Sequence, residues 1–231
     1  MTQPSQNPAT PPALDIAPAT GRLGMLTPGM GAVATTAIAG IMAARQGQAV
    51  PIGSLTQMAH IRLGSRDEGR NPMIKDFAPL ATLDDLAFGG WDPISANALE
   101  AAHTAGVLKD SDLAPISGEL EGVASMPAVF DQRWVSKLDG IRVKEGASKW
   151  DLARQLVEDI ERFKEEENCD RLVMVWTGST EAYQVESDVH ADPDAFEAGM
   201  KANDPNISPS QMYAWAALSS GVPFANGAPN L

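Results

Sequence analysis

Small residues at a fixed spacing follow the first apolar run of the chain. Leu23–Leu26 has the composition of a buried strand, and Gly29, Gly31 and Ala34 open an alanine-rich run typical of a buried helix. Gly29 allows a tight turn, Gly31 lets a pyrophosphate approach the backbone, and Ala34 lets the helix pack close to the strand. The free N–H groups at the start of the helix, with the positive end of its dipole, would hold the phosphates. The stretch therefore predicts a dinucleotide site, to which Thr35 and Thr36 can add hydroxyl donors.

Two observations keep another interpretation open. A G-x-G-x-x-A pattern alone also fits a tight strand-to-helix turn that binds nothing. Dinucleotide-binding folds, moreover, place an acidic residue about 20 positions further on, at the end of the second strand, where it binds a ribose hydroxyl. Here the candidate second strand is Val50–Gly53, and no Asp or Glu occurs between Val50 and Gln57. Either the cofactor is held differently or no dinucleotide binds.

Further candidate ligands lie at the ends of other predicted strands. Asp92 follows an apolar run and can accept a hydrogen bond from a ribose hydroxyl; alternatively, it only caps a helix whose first residue is Pro93. Ser179 and Thr180 can donate to phosphate or ribose, or they only cap the following segment. Because parallel strands end at one edge of a sheet, we expect the small and polar residues of four segments to converge there: Thr27–Gly31, Gly89–Asp92, Thr177–Thr180 and Asn226–Ala228.

Strands alternate with helices along the chain. The periodicity predicts an amphipathic helix over Lys149–Glu167 and a strand covered on both faces over Arg171–Thr177. The remaining expected elements are a strand before Asp92, a helix from Pro93 to about Leu108, an irregular Gly118–Ser125, a short strand within Met126–Phe130, a helix from Ser208 to Gly221 and a last strand after Val222. This order predicts an α/β, Rossmann-like, doubly wound fold with a mostly parallel sheet. Residues 1–20 contain five prolines and are expected to be a disordered tail, followed by one domain over 21–231.

Composition limits the function classes. The 231 residues carry a net charge of −13, which argues against nucleic acid and anionic membrane surfaces as partners. No apolar run is long enough to span a bilayer and no secretory signal is visible, so the cytoplasm is the default location. Cys169 is the only cysteine, which excludes a disulfide framework and a cysteine-based metal site. His60, His103 and His190 have no metal or catalytic spacing, and no catalytic group is evident.

Six ordered motifs resemble the inositol-3-phosphate synthase (myo-inositol-1-phosphate synthase) family, over about residues 22 to 231. They are Gly29-Met-Gly-Ala-Val-Ala-Thr-Thr36, Gly53-Ser-Leu-Thr-Gln57, Gly90-Trp-Asp92, Val175-Trp-Thr-Gly-Ser-Thr-Glu181, Ser208-Pro-Ser210 and Gly221-Val-Pro-Phe-Ala-Asn-Gly-Ala-Pro229. The resemblance implies a variant Rossmann fold with bound NAD. It also implies isomerisation of glucose 6-phosphate to inositol 3-phosphate in inositol and phospholipid biosynthesis, within a homotetrameric family. In that reaction C5 of the sugar is oxidised, the ring closes by an aldol step, and the ketone is reduced again.

The resemblance implies NAD contacts but no catalytic residue within this chain. Each implied contact occupies its motif position: Gly29, Gly31, Ala32, Val33, Ala34, Asp92, Thr177, Gly178 and Ser179. The family's catalytic lysines and tetramerising domain lie beyond the Asn226–Pro229 motif, so the chain looks like an amino-terminal half. We expect it to be inactive alone and to associate with itself or with a complementary catalytic segment, and we assign no metal-binding residue. The rival hypotheses are a non-catalytic NAD-binding module and a Rossmann dehydrogenase completed by another subunit.

Overall fold

A parallel β-sheet forms the centre of the chain in the computed structural model, which describes residues 17–228. Its five strands are β1 (Leu23–Pro28), β2 (Leu86–Trp91), β3 (Ser125–Met126), β4 (Arg171–Trp176) and β5 (Phe224–Asn226). Their order is β3-β2-β1-β4-β5, and every pair is parallel. All the strands therefore end at the same edge, as the sequence predicts for the four polar segments.

Helices cover both faces of this sheet. In the same unit as the sheet, the helices are α1 (Ala32–Arg45), α4 (Ala98–Ala105), α5 (Asp110–Leu113), α6 (Ser117–Gly122), α7 (Lys149–Glu166), α8 (Pro193–Lys201) and α9 (Pro209–Ser219). The helices α2 (Leu55–Met58) and α3 (Ile74–Phe77) belong to a separate unit. Short 3-10 turns occupy Arg66–Glu68, Leu83–Asp85, Ala114–Ile116 and Asp188–His190. One apolar cluster joins α1, α4 and α6 to β2, and a second joins α7, α8 and α9 to β1, β2 and β4. The predicted doubly wound α/β class is confirmed.

The two strongest helix predictions are also confirmed. In α7 the buried stripe contains Ala153, Leu156, Ile160 and Phe163, and Ser148 closes a capping box at its start. At α9, Ser208 caps the helix and Pro209 is its first residue. Gly221 lies just beyond α9 at φ +68°, the left-handed conformation that ends helices.

The predicted second strand at Val50–Gly53 is wrong. Those residues form a turn, in which Ile52 is 84% exposed. Pro51 lacks an N–H for a sheet ladder and Gly53 has no side chain to pack, so the run cannot form a buried strand. The strand beside β1 is β2, in which Leu86 pairs with Leu23 and Trp91 with Pro28. Asp92 therefore directly follows the second strand of the chain, where the acidic residue of a dinucleotide site belongs.

The helix expected from Pro93 to about Leu108 is shorter than predicted. It begins at Ala98, and Asn97 is the N-cap, whose side chain accepts from the Glu100 N–H at 2.9 Å. It ends at Ala105, before Gly106 at φ +62°. Asp92 consequently does not cap α4.

Two smaller predictions also need correction. Residues expected to be irregular include α6, and β3 covers only the first residue of the strand expected within Met126–Phe130.

Residues Ser54–Leu80 group as a compact unit apart from Gly21–Gly53 and the chain from Ala81. Residues 1–16 of the predicted tail lie outside the described residues. Among helices of residues 17–228, none is long and apolar enough to cross a membrane.

The turn after β1 requires glycine, and we expect Gly29→Ala to destabilise the fold. Gly29 has φ +79°, and a Cβ there would lie 2.2 Å from the Gly178 Cα. The substitution should lower the free energy of unfolding by more than ~1 kcal/mol, measured by urea denaturation. Gly40→Ala is the matched control, because a Cβ at Gly40 in α1 meets nothing within 4 Å. The control should raise the same free energy by about 0.5–1 kcal/mol. Equal stability of the two variants would contradict this account of the turn.

Candidate functional site

The glycine turn is fixed by the backbone of β2. The N–H groups of Gly29 and Met30 donate to the carbonyl of Trp91 at 2.8 and 3.3 Å. The Gly31 N–H donates to the Gly29 carbonyl at 2.8 Å, which closes the turn. Gly31 itself has space around it: a Cβ built there meets nothing within 4 Å. The fold thus needs glycine at position 29. At position 31 the fold has space for a side chain, and the absence of one leaves open space beside the turn.

The N-terminus of α1 has no side-chain cap. Gly31 is its N-cap residue, and the first turn contains no acidic side chain. The N–H groups of Ala32, Val33 and Ala34 precede the first residue that can bond within the helix, Thr35, whose N–H donates to the Gly31 carbonyl at 3.0 Å. Backbone donors without helix partners and the positive end of the helix dipole favour an anion at such a position.

Only one of the two threonines of α1 keeps the role expected for it. Thr35 is 1% exposed, and its hydroxyl donates to the Gly31 carbonyl at 2.8 Å. The prediction that this hydroxyl serves a ligand is therefore wrong. Thr36 is exposed and stays a possible donor. Ala34 is buried at 1% exposure against the cluster beneath α1, as its packing role requires.

A cavity of about 610 Å³ opens at this edge of the sheet. Eight of the nine predicted contact residues line it: Gly29, Gly31, Ala32, Val33, Asp92, Thr177, Gly178 and Ser179. Ala34 lies below the surface instead. Gly227 and Ala228, which follow β5, also line the cavity. The expected convergence of strand ends is therefore present. Among residues 17–228 no lysine, arginine or histidine lines this cavity, and no group of acidic, His or Cys side chains could hold a metal ion.

Asp92 is 7% exposed and closes a turn of its own. Its Oδ1 accepts from the N–H groups of Ile94 and Ser95 at 2.8 and 2.6 Å. Both bonds fall on one oxygen, and within the described residues Oδ2 accepts no hydrogen bond. Burial raises the pKa of Asp92, while the two N–H donors and the charge of Arg142 oppose that shift. The carboxylate lines the cavity with one oxygen available to a ligand donor.

The loop after β4 is tied to the glycine turn. The Thr177 N–H donates to the Pro28 carbonyl at 3.0 Å, and its hydroxyl donates to the Gly29 carbonyl at 2.9 Å. Gly178 packs directly on Gly29. Ser179 and Thr180 are partly or fully exposed, and no helix follows them before the 3-10 turn at Asp188–His190, which Ser187 caps. The alternative that they cap the next segment is therefore wrong.

Sequence reasoning missed the buried groups that support this site. The Trp91 indole Nε1–H donates to Asp159 Oδ2 at 2.7 Å, and Lys144 Nζ lies 2.7 Å from the same oxygen. Arg162 donates to Asp159 Oδ1. An acidic residue on the apolar stripe of α7, between Leu156 and Phe163, is the signal that could have indicated this partner.

Two contacts with α9 also escaped prediction. Glu181 accepts from the Ser210 N–H at 2.9 Å and from the Ser210 hydroxyl at 2.5 Å, which holds the end of the loop after β4 on the start of α9. Tyr213 accepts the Val129 N–H at 2.9 Å, and its ring packs at 5.2 Å from that of Trp91. Complete burial raises the pKa of Tyr213, so its hydroxyl stays protonated.

A parallel sheet whose first strand runs through a glycine turn into an uncapped helix defines the Rossmann-like class of domain. The chain belongs to the myo-inositol-1-phosphate synthase family, because the family model with that description, a model of an NAD-binding domain, matches residues 23–231.

Similar proteins cover nearly all of this chain. Inositol-3-phosphate synthase 1 of Bacteroides thetaiotaomicron is 48% identical over 219 residues, which are 94% of this chain and 50% of that protein. The enzyme named inositol-3-phosphate synthase 1 in Oryza sativa subsp. japonica is 34% identical over 224 residues, 90% of this chain and 44% of its own. The crystal structure of inositol-3-phosphate synthase from Caenorhabditis elegans matches with a TM-score of 0.82 at 26% identity, covering 90% of this chain and 44% of that one. The chain thus spans about half the length of the relatives it matches.

Proposed function

We propose that this chain binds NAD and is the cofactor-binding part of an inositol-3-phosphate synthase, the isomerase that converts glucose 6-phosphate to inositol 3-phosphate. The observation that carries the proposal is the uncapped N-terminus of α1 facing a cavity, with open space at Gly31. Family membership supports the choice of NAD. When bound, NAD accepts a hydride from the sugar and returns it, so the net reaction is an isomerisation.

The residues present fit a dinucleotide. The N–H groups of Ala32 and Val33, which line the cavity, would hold the pyrophosphate beside Gly31, where no side chain intervenes. Asp92, at the end of β2, would accept hydrogen bonds from a ribose through its available Oδ2. A carboxylate at this position would also repel the additional phosphate of NADP, which favours NAD. Thr177 and Gly178 would support the site through Gly29, and Ser179 would donate to the cofactor.

Gly31→Val tests the pyrophosphate position. The valine side chain would occupy the open space beside the helix N-terminus, so we expect the affinity for NAD to fall at least tenfold with little change in the thermal unfolding temperature. Isothermal titration calorimetry with NAD measures the effect. Gly40→Ala is the control, because it also adds atoms to a glycine with free space but lies away from the cavity lining. Equal NAD affinity in the Gly31→Val variant and the wild type would exclude this site.

Asp92→Asn tests the ribose contact. Asparagine keeps an acceptor for Ile94 and Ser95 but loses the charge, so the turn should survive while NAD binds more weakly. Because burial raises the pKa of Asp92, the wild-type affinity should decrease as the pH falls through that raised pKa. The variant should bind weakly at every pH, without this dependence. Calorimetric titrations between pH 5 and pH 8, chosen as roughly the range in which proteins stay stable, would show it. An unchanged affinity would leave Asp92 with a turn-closing role alone.

A turnover assay separates the synthase from its rivals. Ring closure through an enolate needs a cation or acid near the developing charge, and one such group is commonly worth about a hundredfold in rate. Since no cationic side chain among residues 17–228 lines the cavity, we expect the 231-residue chain with NAD and glucose 6-phosphate to form no inositol phosphate by phosphorus NMR. A dehydrogenase would instead accumulate NADH. Turnover that is lost in Lys75→Ala or Lys149→Ala would show that the catalytic site lies within this chain.

A further inference from the structure

Two residues before α7 are hydrogen-bonded to the turn that contains Asp92. The backbone N–H groups of Ile141 and Arg142 both donate to the carbonyl of Pro93, at 2.8 and 2.9 Å. Pro93 follows Asp92 directly, so this pair of bonds anchors the turn from outside the sheet. Ile141 and Arg142 do not line the cavity, so an effect of either residue on a ligand must pass through the turn.

The Arg142 side chain adds a second anchor. Its guanidinium donates to the Ser95 carbonyl, to the Ser125 hydroxyl at 2.7 Å and to the Ser125 carbonyl at 3.0 Å. Ser125 belongs to β3, and its hydroxyl also donates to the Ser95 carbonyl. Ser95 in turn donates its N–H to Asp92 Oδ1 at 2.6 Å. A planar, rigid guanidinium therefore connects β3 to the turn at the carbonyl of Ser95, whose N–H is bonded to Asp92.

We propose that Arg142 is a positioning residue for the cofactor, fixing the Asp92–Ser95 turn against β3 so that Asp92 is held at the cavity. This inference rests on the proposed binding of NAD at Asp92. The geometry supports it because both serines are buried, at 5% and 6% exposure, so the guanidinium bonds in a site from which water is largely excluded.

The charge of Arg142 supports the same role. Within the described residues its hydrogen bonds go to carbonyl and hydroxyl oxygens, and no carboxylate lies within 4 Å of it. Its charge is therefore not neutralised by a direct ion pair, and it acts on Asp92 by lowering the pKa of that carboxyl against burial. Tyr213 also interacts electrostatically with Asp92, and its buried hydroxyl remains neutral. Asp92 is thus ionised over a wider pH range than burial alone would allow.

The test compares Arg142→Gln, Arg142→Lys and Asp92→Asn with wild type by NAD titration across pH and by thermal unfolding. Arg142→Gln removes the charge, so NAD affinity at neutral pH should fall about tenfold, and the pH midpoint of binding should move upward because Asp92 loses its cation. Arg142→Lys keeps the charge but not the planar fork, so affinity should fall less and the midpoint should stay near that of wild type. Arg133→Gln is the control: Arg133 also donates to a backbone carbonyl, that of Pro205 at 2.8 Å, but lies outside the cavity lining.

The outcomes separate this inference from the proposed function. In the double variant Arg142→Gln/Asp92→Asn, the loss should be no larger than in Asp92→Asn alone, because Arg142 acts through Asp92. Additive losses, or a midpoint that does not move in Arg142→Gln, would overturn the positioning role. Weaker binding in Gly31→Val and Asp92→Asn together with normal binding in Arg142→Gln would overturn it while leaving NAD binding intact. A wild-type chain that fails to bind NAD would overturn both.

Discussion

The backbone carbonyl of Trp91 fixes the position of the glycine turn, and the cavity depends on it. That carbonyl accepts two N–H groups from the turn, while the indole of the same residue donates to the buried carboxylate of Asp159. A buried carboxylate is costly unless it is paired, and here Lys144, with a side chain 8% exposed, provides the charge. Removing one partner of a buried pair typically costs about 3–5 kcal/mol. The position of the turn therefore depends on Trp91, the residue whose indole is bonded to this buried ion pair.

The close approach of two glycines brings the loops of β1 and β4 together. Gly29 and Gly178 are in backbone contact, and the Thr177 hydroxyl joins them at the Gly29 carbonyl. β1 is the central strand, with β2 on one side and β4 on the other, and the chain crosses to opposite faces on either side of it. A crevice forms where such crossovers diverge, beyond the strand ends. A side chain at Gly29 would meet the Gly178 backbone and separate the loops, whereas one at Gly178 would meet the ring of Trp176.

Local sequence could predict the parts of the site that are locally encoded. The turn from Gly29 to Ala34 and the start of α9 at Ser208 follow from residue types within a few positions. The strand before Asp92 is also predicted from its local pattern, but its place beside β1 is not, because that place is set by pairing with residues about 60 positions away. Asp92 illustrates the difference. The sequence shows an acidic residue directly after an apolar run, but whether that residue caps a helix or closes a turn depends on where α4 begins. Arg162 lies three residues from Asp159 on α7, whereas Trp91 and Lys144 come from other segments, and only the tertiary structure brings those two to Asp159.

Because the chain has a negative net charge, binding of an anionic cofactor depends on the local geometry at the N-terminus of α1. A net charge of −13 repels an anionic cofactor at long range, but salt screens such forces beyond about 8 Å under physiological conditions. Within that distance, the N-terminus of α1 presents about half a positive charge and donors that no side chain occupies. A pyrophosphate would therefore be held by backbone N–H groups rather than by lysine or arginine, which are absent from the described cavity lining. Backbone donors do not titrate, so the pH dependence of binding to the described part of the chain should come from Asp92, whose pKa burial raises and Arg142 lowers.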